Sequence, residues 1–301
     1  MVHTTTKLGG TASDVTIARV AHGLMRMTWV PTPAPDEQCF EAIKAGIDAL
    51  PPGTKMFLNS GEFYAMDWST GNLEMLSRFF AKYPEYADKT FLSVKGAFRD
   101  RAPDNSPENI RASVENIQRA LGPIKKIDLF QPARMDRKVP IEQSMQAMVA
   151  LIGEGKFSHI GLSECNATTL RKAHAVHPVT AAEIEISPLA YDENQKNVIA
   201  TAEELGISVL AYSPLGRGFL SGNIKSVSDL HELEALAKTK NITVAQLCIA
   251  WVAALSPNVI PLPGSSKSTR TLENLEAGDI VLDAEELKKM NEIIEKHGVK
   301  G

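Results

Sequence analysis

The feature that most constrains this chain is a repeated alternation. Short runs of β-branched and apolar residues lie at 17–24, 55–59, 91–95, 126–131, 157–162, 180–186, 208–212 and 259–262. Each is followed by a longer stretch with helical spacing, near 36–49, 70–83, 106–120, 141–154, 167–176, 192–205, 229–254 and 268–277, with a last one near 283–297. Strands that alternate with helices pair in parallel through right-handed crossovers. Eight such units in 301 residues match an α/β fold of the closed (β/α)8 or TIM-barrel type. An open doubly wound sheet is the competing arrangement. No Pro-, Gly- or Ser-rich linker divides the chain, so one domain over 1–301 is expected.

Several helix starts carry their own chemistry. Ser106-Pro107-Glu108 sets a cap, a first-turn proline and an acid in order. Thr243 with Gln246, and Asp283 with Glu286, read as capping boxes, in which each side chain satisfies a free backbone donor of the other.

Charge and cysteine usage narrow the function. The net charge of −4 is spread along the chain, so nothing points to nucleic acid and a small-molecule substrate is expected. Cys39, Cys165 and Cys248 form neither a disulfide framework nor a CxxC site, which fits a reducing compartment. The start of the chain has no apolar signal region, and the longest apolar stretch, 245–255, is far short of the ~20 residues of a membrane span. The cytoplasm, with or without the nucleus, is the expected location, with no membrane partner. His174 and His177 are spaced HxxH without a further ligand, so no metal is expected. His22 and His159 read as core histidines. The run from Gly216 to Gly222 is one residue too long for GxGxxG and follows the wrong strand for a Rossmann motif.

In a barrel of this kind chemistry gathers at the C-terminal ends of the strands. Lys95 ends the third run, in a crowded mouth where an ammonium is costly without a partner. Tyr64, beyond the second run, is a natural one: a nearby ammonium favours the phenolate and lowers the phenol toward neutrality. A tyrosine so tuned can protonate a carbonyl oxygen on its way to an alkoxide. The alternative is a solvated lysine and a packing tyrosine. Beyond the eighth run, Gly264, Ser265, Ser266, Lys267 and Arg270 put hydroxyls and positive charge at a helix start, as a phosphate site does. The bland reading there is a well-capped helix with solvated cations. Trp29, Phe63 and Trp68 could wall a pocket for a planar ring, or belong to core and rim.

These strand ends together resemble the aldo-keto reductase superfamily, from about Ile17 to Gly278. The matching stretches are Phe57-Leu-Asn-Ser-Gly-Glu-Phe-Tyr64, Ile127-Asp-Leu-Phe-Gln131, Gly155-Lys-Phe-Ser-His-Ile-Gly-Leu-Ser163, Leu210-Ala-Tyr-Ser-Pro-Leu-Gly-Arg-Gly218 and Leu262-Pro-Gly-Ser-Ser-Lys-Ser-Thr-Arg-Thr-Leu-Glu-Asn274. The resemblance implies Tyr64 as acid, with Lys95 and Asn59 beside it. It implies Ser163 and Glu183 at the nicotinamide carboxamide, Tyr212 against the nicotinamide ring, and Ser213, Leu215, Arg217 and Gly218 along the pyrophosphate. It places Ser265, Ser266, Lys267 and Arg270 on a 2′-phosphate and Glu273 and Asn274 near the adenine, which implies NADPH.

The resemblance also carries departures. The superfamily usually has Asp at Asn59, His at Ala133, Asn at Glu164 and Gln at Glu183. The same substitutions resemble the fungal pyridoxal reductase branch, which implies reduction of pyridoxal to pyridoxine. Without Asp at 59, Lys95 is expected to act on Tyr64 with less compensated charge unless Glu62 takes that place. The absent histidine removes an orienting donor, a change that can cost ~10²–10³ in rate; Arg134 could replace it or be a solvated loop residue. Superfamily members usually have some thirty more residues after the stretch ending at Gly222, so a short lid is expected. Reduction of another aldehyde or ketone, and a non-catalytic NADPH-sensing subunit on the same barrel, are the alternative functions.

Overall fold

The computed structural model describes residues 2–216 and 230–297. Its main sheet has eight parallel strands: β3 (His22–Gly23), β4 (Met56–Gly61), β5 (Thr90–Gly96), β8 (Leu129–Pro132), β9 (His159–Ser163), β10 (Ala181–Glu185), β11 (Ser208–Tyr212) and β12 (Val259–Leu262). Each pairs with its neighbours in that order, and the ring closes where Ala21 N–H donates to Pro261 O at 2.8 Å and Gly23 N–H to Pro263 O at 2.9 Å. A Cβ on Gly23 would sit 3.3 Å from that Pro263 oxygen, so glycine permits the close approach at the seam. The fold is the (β/α)8 barrel.

The interior follows from the two-residue period of strands. Phe57, Phe91, Leu129, Ala181, Leu210 and Ile260 point inward as one apolar cluster, while Leu58, Leu92, Phe130 and Leu162 pack outward with the helices. Phe57 stacks on Phe91 with ring centroids 5.3 Å apart. A hairpin of β1 (Thr5–Lys7) and β2 (Thr16–Ala18) plugs the N-terminal mouth, adding Leu8, Ala12 and Ile17 to the cluster. Two residues higher on β4, β5, β8 and β10 the inward side chains turn polar: Asn59, Ser93, Gln131 and Glu183 are all buried. The barrel therefore has an apolar floor and a polar upper layer beneath its C-terminal mouth.

The helices are α1 (Met25–Thr28), α2 (Asp36–Asp48), α3 (Gly71–Lys82), α4 (Pro107–Leu121), α5 (Ile141–Gly153), α6 (Ala167–Val176), α7 (Glu193–Leu205), α8 (Leu230–Thr239), α9 (Val244–Ala254), α10 (Ser268–Glu276) and α11 (Ala284–His297). The caps form as their residues dictate. Ser106 accepts the Asn109 N–H at 3.3 Å, Thr243 and Gln246 close a capping box, and Asp283 and Glu286 exchange side-chain bonds with each other's N–H.

Two expected elements are corrected. The run 17–24 is not one strand: Thr16–Ala18 serves the floor hairpin and touches the barrel by one parallel bridge from Ile17 to Lys55, while His22–Gly23 forms the ladder with β4. The stretch 229–254 is two helices, because Asn241 takes a positive φ of 55° and Thr243 caps a new helix. A further hairpin, β6 (Phe98–Arg99) with β7 (Ala102–Pro103), follows β5.

Arg19, in the bend after the floor hairpin, ties the barrel seam to α9. Its guanidinium donates to the carbonyls of Ala253, Ser256, Pro257 and Val259 at 2.5–3.3 Å. Arg19→Met would strip a charged donor from these carbonyls, of which Ser256 O keeps the Val259 N–H. A loss of about 2–3 kcal/mol in urea unfolding is the expected result, by the cost of stripping charged hydrogen bonds from buried partners; an unchanged midpoint would mean that water replaces the arginine.

Candidate active site

The polar layer converges on Lys95. Its ammonium donates to Asn59 Oδ1 and to both Glu183 oxygens, at 2.7 and 3.0 Å. Asn59 Nδ2 donates to Glu183 Oε2 at 2.8 Å, and Gln131 Nε2 donates to the same oxygen at 2.6 Å. All four residues are buried. This fixes the Asn59 amide: oxygen toward the cation, nitrogen toward the carboxylate.

Tyr64 lies above this group, its ring centroid 5.3 Å from Lys95 Nζ. The chain reaches that position because Gly61 lets the ring fold back on it; a Cβ at 61 would sit 2.8 Å from the ring. Burial drives the Tyr64 phenol above its ordinary value; Lys95 opposes the rise and Glu183 adds to it. The expected descent toward neutrality is thus corrected: the ammonium does act downward, but burial outweighs it, and a carboxylate partly offsets its charge. That carboxylate is Glu183 and not Glu62, which accepts instead from Ser113 Oγ at 2.5 Å and Asn116 Nδ2 at 2.9 Å. Burial alone would lower the Lys95 ammonium, but Glu183 and Tyr64 together hold it above the usual lysine range.

The wall beside Tyr64 is aromatic. Trp29 meets Tyr64, Phe63 and Trp68 edge-on at centroid distances of 5.7, 5.9 and 5.3 Å. Phe98, which the sequence reading missed, packs on Phe63 at 4.7 Å. Its hairpin turns on Asp100 and Arg101 at φ 51° and 62°; Asp suits such a turn, but Arg in place of the usual Gly hides it. Arg134 is exposed at the rim, its guanidinium donating to Ala133 O at 2.6 Å, and its charge favours the phenolate forms of Tyr64 and Tyr212. Ala133 is buried and brings no polar side chain to the mouth.

Around the mouth, three residues that follow strand ends are held in the left-handed region without glycine: Ala97, Glu164 and Ser213, at φ 63°, 56° and 52°. Such backbone costs roughly 1–3 kcal/mol per residue and collects at functional mouths. Ser163 pairs in register with Glu183, and its buried hydroxyl has no partner. Glu183, expected at the cofactor, accepts from Lys95 on both oxygens and from Asn59 and Gln131 on Oε2. Tyr212 ends β11, its phenol pushed up by burial and by Glu164 and Glu185. Leu215 packs on the core, and Ser213 O accepts the Gly216 N–H at 2.9 Å. Arg217, Gly218 and the expected short lid at 223–229 lie outside the described residues.

The segment after β12 forms a polar shelf. His22 Nε2 bonds Ser265 O at 2.9 Å from inside the barrel, and Gln38 donates to Ser266 O at 2.9 Å. Ser265 Oγ accepts the Lys267 N–H at 3.1 Å. Gly264 and Lys267 are exposed, Arg270 pairs with Glu273 at 2.9 Å, and α10 begins without a side-chain cap. Asn274 is buried with its Oδ1 unpartnered. Free backbone N–H groups beside an exposed ammonium and a guanidinium suit a phosphate. Unpartnered buried atoms on Ser163 and Asn274 suit hydrogen-bonding ligand groups at both ends of an extended molecule. The shelf and mouth therefore fit a dinucleotide.

His174 and His177 are engaged by the backbone at Val179 N and Pro178 O, and among the described residues no group of three His, Cys, Asp or Glu could hold a metal ion. Among the same residues no helix is long and apolar enough to cross a membrane.

Comparison with known proteins agrees with this geometry. The model of the aldo/keto reductase family matches residues 19–295. A Schizosaccharomyces pombe protein named "Probable pyridoxal reductase 2" is 34% identical over 316 residues, covering 95% of this chain and 94% of its own. Aldo-keto reductase str7 of Strobilurus tenacellus is 32% identical over 281 residues, 85% of this chain and 82% of its own. Among solved structures, a glycerol dehydrogenase from Gluconobacter oxydans superposes with a TM-score of 0.82 at 23% identity, over 97% of this chain and 95% of that one.

Proposed function

Because the chain belongs to the aldo/keto reductase family, a family of nicotinamide-dependent oxidoreductases, we propose that it reduces a small aldehyde with NADPH, pyridoxal to pyridoxine being the best-supported case. The observation that carries this reading is the Lys95 ammonium buried under the Tyr64 ring at the open end of the barrel, where Glu183 and Asn59 hold it. The pyridoxal reductase name of the fungal relative supports the substrate. When bound, the nicotinamide supplies the hydride.

The chain's own residues supply the rest. Tyr64 stays protonated across the neutral range because burial holds its phenol high, so it can donate to the oxygen of a carbonyl as that oxygen gains charge. Lys95 stabilises the phenolate left behind, which solvent reprotonates. Trp29, Phe63, Trp68 and Phe98 offer flat apolar faces to an aromatic aldehyde and shut out water on that side. Ser163 would hold the carboxamide, Tyr212 the nicotinamide face, Ser265, Ser266, Lys267 and Arg270 the 2′-phosphate, and Asn274 the adenine.

The test is NADPH consumption with pyridoxal beside a panel of aliphatic and aromatic aldehydes. Preferential turnover of pyridoxal is expected. Turnover of other aldehydes alone would replace the substrate, and NADPH binding without reduction of any carbonyl would favour a sensing subunit. Cofactor choice is tested separately. Arg270→Ala is expected to weaken NADPH binding about 10-fold or more, the worth of one charge-assisted hydrogen bond, with NADH binding unchanged. Equal weakening for both cofactors would take the 2′-phosphate away from Arg270.

A further inference from the structure

We propose that Glu183 is the positioning residue that fixes the charge of the active centre, acting as the counter-ion of Lys95, with Asn59 and Gln131 as neutral clamps. The proposal rests on the reading of Tyr64 as proton donor and deepens it. Glu183 comes from β10, across the barrel from Lys95 on β5, and among the described residues is the one carboxylate in contact with that ammonium. Asn59 reaches the same ammonium from β4 but brings no charge. The centre beneath Tyr64 therefore holds one positive and one negative group. Asn59 and Gln131 each donate to Glu183 Oε2, which holds the carboxylate toward the lysine. With these bonds made, Glu183 Oε2 is saturated and Oε1 is turned to Lys95.

The consequence is a charge balance that Tyr64 reads. The charged groups acting on it are Lys95 from β5, Glu183 from β10 and Arg134 from the segment after β8; β4 and β8 contribute the neutral Asn59 and Gln131. Lys95 and Arg134 favour the phenolate and Glu183 opposes them. Removing the Glu183 charge leaves Lys95 uncompensated, which lowers the Tyr64 phenol. Adding a carboxylate at 59 raises it.

Both changes can be read without substrate or cofactor. Phenolate absorbance is titrated in the ultraviolet, and the Tyr64 signal is isolated from the other four tyrosines by subtracting the Tyr64→Phe variant made in each background. Glu183→Gln should move the Tyr64 midpoint down by about one to three pH units, the usual effect of one close charge. Asn59→Asp should move it up, and the double variant Asn59→Asp/Glu183→Gln should return it near the starting value. The alkaline limb of aldehyde reduction should follow the same order. An unmoved midpoint in both single variants would overturn the proposal, as would a double variant displaced as far as Glu183→Gln alone. If Glu183→Gln does not fold, Asn59→Asp and the double variant decide the matter by the same criteria. Because the titration needs no aldehyde, its outcome is independent of whether pyridoxal is the substrate.

Discussion

Tyr64→Phe should abolish aldehyde reduction while leaving the fold and NADPH binding intact. The substitution removes one hydroxyl from a ring held against Gly61 and edge-on to Trp29, so the packing that places the ring is unchanged. What is lost is the proton donor. General acid catalysis by a positioned side chain is worth about 10²–10⁴ in rate, and Ala133 provides no second donor at the mouth. The expected result is therefore a fall in kcat of at least about 10²-fold, with NADPH fluorescence titrating as in the parent. A fall of less than tenfold would move the acid role elsewhere, with Arg134 at the rim the first alternative to try.

Lys95→Met should do more: it should inactivate the enzyme and destabilise the barrel. The ammonium is buried and makes its ion pair inside the protein, so deleting it strands the buried Glu183 carboxylate with only the neutral Asn59 and Gln131 amides as partners. Removing one partner of a buried pair typically costs about 3–5 kcal/mol, far more than the pair itself contributes. Equilibrium unfolding in urea is expected to show a loss of that order. Lys95→Met/Glu183→Gln should recover most of the stability, because no uncompensated charge is left, but none of the activity. Full stability in the single variant would mean that Glu183 takes up a proton or reaches water, contrary to the enclosed layer described above.

The contrast between these residues and the helix caps shows what the sequence could reveal. The barrel was legible because alternation and capping are local: Ser106, Thr243 and Asp283 each satisfy a backbone donor two or three residues away. The run 17–24 misled because its pattern persists while the chain passes from the floor hairpin to the barrel, and no residue marks the change. Tyr64 and Lys95 could be read from strand ends. Their third partner could not, since Glu183 lies 88 residues beyond Lys95 and only barrel closure brings the two together. The resemblance implies a cofactor contact for it, and the folded layer adds the ion pair with Lys95. Phe98 escaped for a related reason, as it reaches the aromatic wall on a turn built from Asp100 and Arg101.

The unpartnered atoms tell a complementary story. Ser163 and Asn274 were picked out as ligand contacts by resemblance, and in the structure each buries a polar atom with nothing to bond. Groups of that kind cost free energy unless something fills them. His22 shows how the barrel wall serves the shelf, holding the Ser265 carbonyl from within while its other ring nitrogen stays buried and unpartnered.

The most direct test of hydride transfer is isotopic. The protein is incubated with pyridoxal and NADPH deuterated at its transferable position, and the alcohol product is examined by mass spectrometry. One deuterium on the new carbinol carbon, formed by the parent and not by Tyr64→Phe, is the expected result. An alcohol without deuterium, or deuterated cofactor returned unconsumed beside intact pyridoxal, would contradict it.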